Sequence, residues 1–112
     1  SSSANRAITT AKIIADQIKF KNEIQKEEYI YGASSEELFH MITKLDNNIN
    51  SIALVGHNPT LHMLSENLSN EKFIEFPTCS IVHISFTVNS WNKINSGNLE
   101  YFLFPDLYRN IN

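Results

Sequence analysis

The chain has 112 residues, 42% of them hydrophobic, with 9 basic against 12 acidic residues and a net charge of -3. That is enough apolar material for one core but not for two, so residues 1–112 read as a single domain. The acidic balance without any run of Lys or Arg argues against nucleic acid as a partner, and the lack of a long apolar run argues against a membrane span.

In chain order, Ala7, Ala11, Ile14 and Ile18 recur at spacings of four, three and four, with Ile8 and Ala15 widening the stripe. This is the period of an amphipathic helix and predicts one from about Ala4 to Phe20. Glu23–Tyr31 mixes apolar and charged residues and predicts a short edge strand, broken by Gly32-Ala33-Ser34. Ser34 and Glu37 have the spacing of a capping box. Leu38, Met41, Ile42 and Leu45 then give the helix behind it one apolar face, with Asp46-Asn47-Asn48 as its stop. Ile52–Val55 is a continuous apolar run and predicts a strand buried on both faces of a parallel sheet. A third helix follows at once, with Asn58 as cap, Pro59 in its first position and Leu61, Leu64 and Leu68 on its buried face.

Ser80–Val88 and Leu99–Phe104 are rich in β-branched and aromatic residues and predict a strand pair closed by a polar loop, packed by Trp91, Phe102 and Phe104. Cys79, the single cysteine, permits no intrachain disulfide and is expected as a buried, inert thiol at the strand entrance. The alternation of helices and strands predicts an α/β domain with a mixed sheet flanked by helices in three layers. No basic stretch leads into an apolar one as in a signal peptide, so the expected location is cytoplasmic.

Ser51–Leu64 carries the most chemistry. A strand that ends in Gly56-His57-Asn58-Pro59 and hands over to a helix sets His57 at the strand's carboxyl end, where open α/β sheets bind their ligands. The following helix turns unpaired N–H groups and its positive dipole end the same way, so His57 is positioned to meet an anion, phosphate foremost. Arg6, behind Ser1-Ser2-Ser3 in the first turn of the first helix, adds a planar fork of donors matched to phosphate oxygens, with serine hydroxyls as neutral donors. His40 and His62 fall inside predicted helices and His83 in mid-strand, and all three read as structural.

Three elements, Ser2-x-x-x-Arg6-Ala7-x-x-Thr10-Ala11, Val55-Gly56-His57-Asn58-Pro59 and Phe76-Pro77-Thr78, together resemble the histidine phosphatase (phosphoglycerate mutase-like) superfamily over nearly the whole chain. The short form is most similar to phosphohistidine phosphatases of the SixA type. The resemblance implies that family's α/β fold, in which a nucleophilic histidine takes the phosphoryl group, flanked by two arginines and a second histidine that hold the phosphate. On matching positions Arg6 is the second arginine and His57 the second histidine. Both are expected to be catalytic, His57 as a protonated donor, with Ser2 and Asn58 completing the phosphate-binding set. The family's nucleophile lies in an Arg-His-Gly motif at the end of the first strand, and no Arg-His-Gly occurs in the 112 residues. The expectation is a chain truncated ahead of that strand and inactive by itself. Many relatives also carry a glutamate that protonates the leaving group, where this chain reads Tyr31-Gly32-Ala33, with Glu27 and Glu28 as the nearest carboxylates.

The absent acid bears on the substrate. A phosphate ester leaves as an alkoxide and gains about 10² to 10⁴ in rate from general acid catalysis. An imidazole titrates near about 6.5, so a phosphohistidine leaving group can take its own proton near neutral pH. The short span between Arg6 and His57 leaves no room for a lid, which favours a phosphorylated side chain presented by another protein. The expected function is a phosphohistidine phosphatase that needs no metal or cofactor, with a phosphohistidine-bearing protein as substrate and inorganic phosphate as product. A small-molecule phosphomonoesterase and a non-catalytic phosphate-binding module are the alternatives. Without a central first strand, apolar edges would lie open, so the 112 residues are expected to fold poorly or to associate.

Overall fold

The computed structural model describes residues 1–109, and its first helix, α1 (Asn5–Gln17), is shorter at both ends than its apolar period suggests. Its exit is a hydrogen-bonded cap: Phe20 N–H reaches Ala15 O at 2.8 Å and Lys19 N–H reaches Asp16 O at 3.2 Å, with Lys19 left-handed at φ 56. This is the Schellman arrangement, made here without glycine. Ala7, Ile8 and Ala11 are buried, whereas Ile14 and Ile18, the outer half of the same predicted stripe, stay exposed.

The predicted edge strand at Glu23–Tyr31 is not formed. Glu27 alone makes a parallel bridge, to Ser2, and Glu28–Gly32 winds into a 3-10 helix that buries Ile30. Ser34 and Glu37 cap one another at 3.1 Å in both directions and start α2 (Ser35–Thr43) as their spacing predicts. Leu38 and Ile42 from its apolar face are buried, with Met41 and Leu45 packed against them. Helix α3 (Thr60–Ser69) buries Leu64 and Leu68, packs on α2, and ends at a left-handed Asn70.

The late strand pair is present. β1 (Ile81–Ser85) and β2 (Asn98–Leu103) run antiparallel, with a bulge between His83 and Ile84 that steps the register from Tyr101 to Leu99. A short helix, α4 (Pro105–Arg109), follows. Trp91 packs on the core cluster, and its indole N–H donates to Ile49 O at 2.8 Å, which fastens the β1–β2 connection to the chain leaving α2.

The largest correction concerns Ile52–Val55. No strand forms there, and Ile52 is 39% exposed. A strand's amides are satisfied by a neighbouring strand, and along this run the bond from Ser2 N–H to Val55 O at 2.9 Å is the one backbone pairing among the described residues. The described fold is therefore a mixed α/β domain of four α-helices and a two-stranded antiparallel sheet. The expected three layers around one mixed sheet are not what these residues build. The core lies between α2, α3 and the Ile30–Ala33 turn, closed by Ile94.

Candidate functional site

His57 is held from three sides. Its own carbonyl accepts Leu61 N–H at 2.9 Å, which winds the chain from the extended run into α3. Thr60 Oγ1 donates to Ala33 O at 3.2 Å and draws the turn after Ile30 against the start of that helix. At Gly56 a Cβ would stand 3.4 Å from Ile30 Cγ2 and 3.5 Å from the Leu61 methyls, in ordinary contact. The turn after Ile30 sets the Tyr31 ring edge-on to the half-buried His57 imidazole, centroids 5.1 Å apart at 78°.

The third side is Ser2, whose Oγ lies 2.8 Å from His57 Nε2. Ser2 is threaded between two segments, with its N–H on Val55 O and its backbone bridged in parallel to Glu27. Its hydroxyl also accepts Ala4 N–H at 3.2 Å, just ahead of α1. Ser2 is 0% exposed, so its hydroxyl stands behind the imidazole, and the direct phosphate contact expected from sequence has no open path.

Arg6, the second residue of α1, is exposed, and its guanidinium makes no ion pair among the described residues. The fold links it to His57 through Ser2, which both touches the imidazole and receives the N–H that leads into α1. Asn58 is not the side-chain cap of α3: the helix begins at Thr60 with Pro59 in the cap position and no side-chain cap bond. Its amide donates instead to Phe76 O at 2.8 Å, tying the Phe76-Pro77-Thr78 element to the His57 loop. Three of the four predicted site residues, Ser2, His57 and Asn58, thus join one hydrogen-bonded unit or border it. The Arg6 side chain makes no hydrogen bond or ion pair with it among the described residues, lying exposed in the first turn of the helix that Ser2 leads into.

A second cluster steadies that loop. His62 Nε2 donates to Phe73 O at 2.9 Å and lies 3.3 Å from Glu66 Oε2, which itself accepts Phe73 N–H at 2.9 Å. The His62 ring stacks on Phe76 at 5.0 Å, and Phe76 stacks on Phe102 at 5.3 Å, so α3 and β2 both grip the segment that Asn58 holds. His40 in α2 and His83 in β1 are exposed, and their rings contact Phe39 and Tyr101, outside this set. Cys79 is exposed too, against expectation. Ser80 N–H and Oγ both bond Pro77 O, closing a turn that puts Cys79 at φ 65 on the outside.

Two hollows of about 300 and 390 Å³ lie elsewhere, one between α2 and α3 at Ser35, Phe39 and Leu64, the other at Phe73, Phe102 and Phe104. His57 lines neither. Among the described residues no cluster of three His, Cys, Asp or Glu could hold a metal ion, and no helix is long and apolar enough to cross a membrane. Tyr31 is the site residue that sequence reasoning missed as a contact: nothing local to Tyr31-Gly32-Ala33 signals that a turn 26 residues upstream will meet His57. Compared with protein-family models, curated proteins and solved structures, the chain matches none.

Proposed function

We propose that this chain is the phosphate-holding part of a phosphohistidine phosphatase of the histidine phosphatase type, acting on a phosphorylated histidine of another protein. The observation that carries this reading is the bond between His57 and Ser2, which joins, across 55 residues of sequence, two elements that separately suggested phosphate chemistry. Asn58 ties in the third through Phe76.

In this reading the phosphoryl group lies on the open face of His57. The imidazole donates a hydrogen bond to one equatorial oxygen, and Arg6 brings an unpaired positive charge to the others. Both contacts strengthen as charge spreads over those oxygens in the transition state. Attack in line requires a nucleophilic histidine, which the family carries in Arg-His-Gly, a motif the 112 residues do not contain. The leaving imidazole takes its own proton near neutral pH, so Tyr31-Gly32-Ala33 needs no carboxylate. The exposed Tyr31 ring leaves this side open to a side chain presented by a protein.

The test is phosphate release from a phosphohistidine-bearing protein by the full-length gene product, beside the same protein carrying His57→Ala. The expected loss is on the order of 10²-fold or more, as for removal of one preorganised donor to a developing charge. The missing Arg-His-Gly favours one second reading, a non-catalytic module that binds a phosphorylated partner. Phosphate binding that His57→Ala abolishes, with no turnover by the full-length protein, would select it.

A further inference from the structure

We infer that Ser2 is a positioning residue for His57: its buried hydroxyl holds the ring as the Nδ1–H tautomer, so that Nδ1 rather than Nε2 is offered to a ligand oxygen. The inference rests on the phosphate-holding reading of His57 and goes beyond it by assigning the atom that makes the contact.

A serine hydroxyl has one proton to give and two lone pairs to share. Ser2 Oγ uses one lone pair to accept Ala4 N–H at 3.2 Å. Its proton must also find an acceptor, and with the residue 0% exposed that acceptor cannot be bulk water. Among the described residues the group within reach is His57 Nε2, at 2.8 Å. A proton on Nε2 would leave the serine proton stranded in the interior, the costly case of a buried donor without a partner. A bare Nε2 satisfies the serine instead, and a neutral imidazole with a bare Nε2 carries its proton on Nδ1.

No residue of the described chain bonds Nδ1, so this N–H is free for a ligand. His57 can then donate to a phosphoryl oxygen as a neutral ring, without first taking up the second proton that the sequence reading assigned to it. The Tyr31 ring packed edge-on against the imidazole opposes the flip that would exchange the two nitrogens. The logic is that of a ligand histidine whose far nitrogen is fixed by a hydrogen bond behind it.

Nitrogen-15 NMR of the histidine side chains, recorded over a range of pH to reach the neutral ring, reads the tautomer directly. The expected spectrum of the wild-type protein has His57 Nδ1 protonated and Nε2 bare. Ser2→Ala shifts the ring toward the Nε2–H form that unconstrained imidazoles favour, and Ser2→Thr, which keeps the hydroxyl, restores the wild-type pattern. Inorganic phosphate added to wild type moves the Nδ1 resonance, and Ser2→Ala weakens that binding a few-fold, by the fraction of rings lost from the competent tautomer. A wild-type His57 with its proton on Nε2 overturns the inference, a result that depends on no variant folding. An Nδ1–H ring indifferent to phosphate upholds the role of Ser2 and removes the phosphate-holding reading.

Discussion

A Cβ added at Gly97 would stand 2.6 Å from Ser85 O and 2.7 Å from both Ile84 Cγ2 and Phe86 Cε1. All three atoms belong to β1 and its exit, and Gly97 N–H also bonds Leu68 O at the end of α3. The glycine is therefore the point where hairpin and helix touch, and neither backbone can yield cheaply. Gly97→Ala is expected to cost about 1–3 kcal/mol, a fall in Tm on the order of 5–15 °C. An unchanged melting temperature by circular dichroism would show that the contact is looser than this. In the sequence Gly97 is one residue of the polar loop between two predicted strands, and its lack of room depends on β1 folding back against it. Ser34 and Glu37 were legible for the opposite reason, since both halves of a capping box lie within one turn. His57 stands out as a candidate from its Gly-His-Asn-Pro setting alone. That Ser2 would be buried behind it was not legible, because burial is decided by Val55 and Glu27, 53 and 25 residues away.

Helices whose signals are local came through from the sequence with small errors, whereas of the extended segments only the β1–β2 pair did, because a strand is defined by what lies beside it. Ile52–Val55 has the composition of a central strand and lacks the paired neighbours, while β1 and β2 supply each other. The joint between α3 and the Phe73–Phe76 segment shows another contact invisible in the sequence, and it is ionisable. Glu66 lies below its ordinary value of 4.5, first because its carboxylate accepts Phe73 N–H and further through Lys72 and His62, with desolvation opposing. A folded-state pKa below the unfolded one means the unfolded chain binds more protons on acidification. The stabilisation is thus complete above 4.5 and is lost as pH falls through the lowered folded value. Glu66→Gln should flatten the decline of Tm below 4.5 while changing little of its shape above. A wild-type Tm that falls no more steeply there than the variant's would remove Glu66 from the joint's energetics.

At the scale of the molecule, burial falls short of what its mass should allow. The accessible surface is 8198 Å² for 12.8 kDa, whereas folded monomers of this mass expose about 6,300 Å². The excess of about 1,900 Å² is more than the roughly 800 Å² that one partner buries in a standard protein–protein interface. Four exposed large apolar residues cluster on one helix and just past its end: Ile13 is 59%, Ile18 64% and Phe20 46% exposed, with Ile14 at 36%. Ile14 and Ile18 continue the stripe that buries Ala7 and Ala11, so the helix is patterned for a cover along its full length and receives one along half of it. A second copy of the chain can supply that cover, and the 112-residue chain is expected to sediment as a dimer or larger species at tens of micromolar. Ile14→Lys with Ile18→Lys should return it toward monomer at little cost in stability, because Ile18 is mostly solvated already and Ile14 partly so. Sedimentation of the unaltered chain as a monomer with one sharp melting transition would refute this, and would mean that the open half of the α1 stripe is tolerated in water.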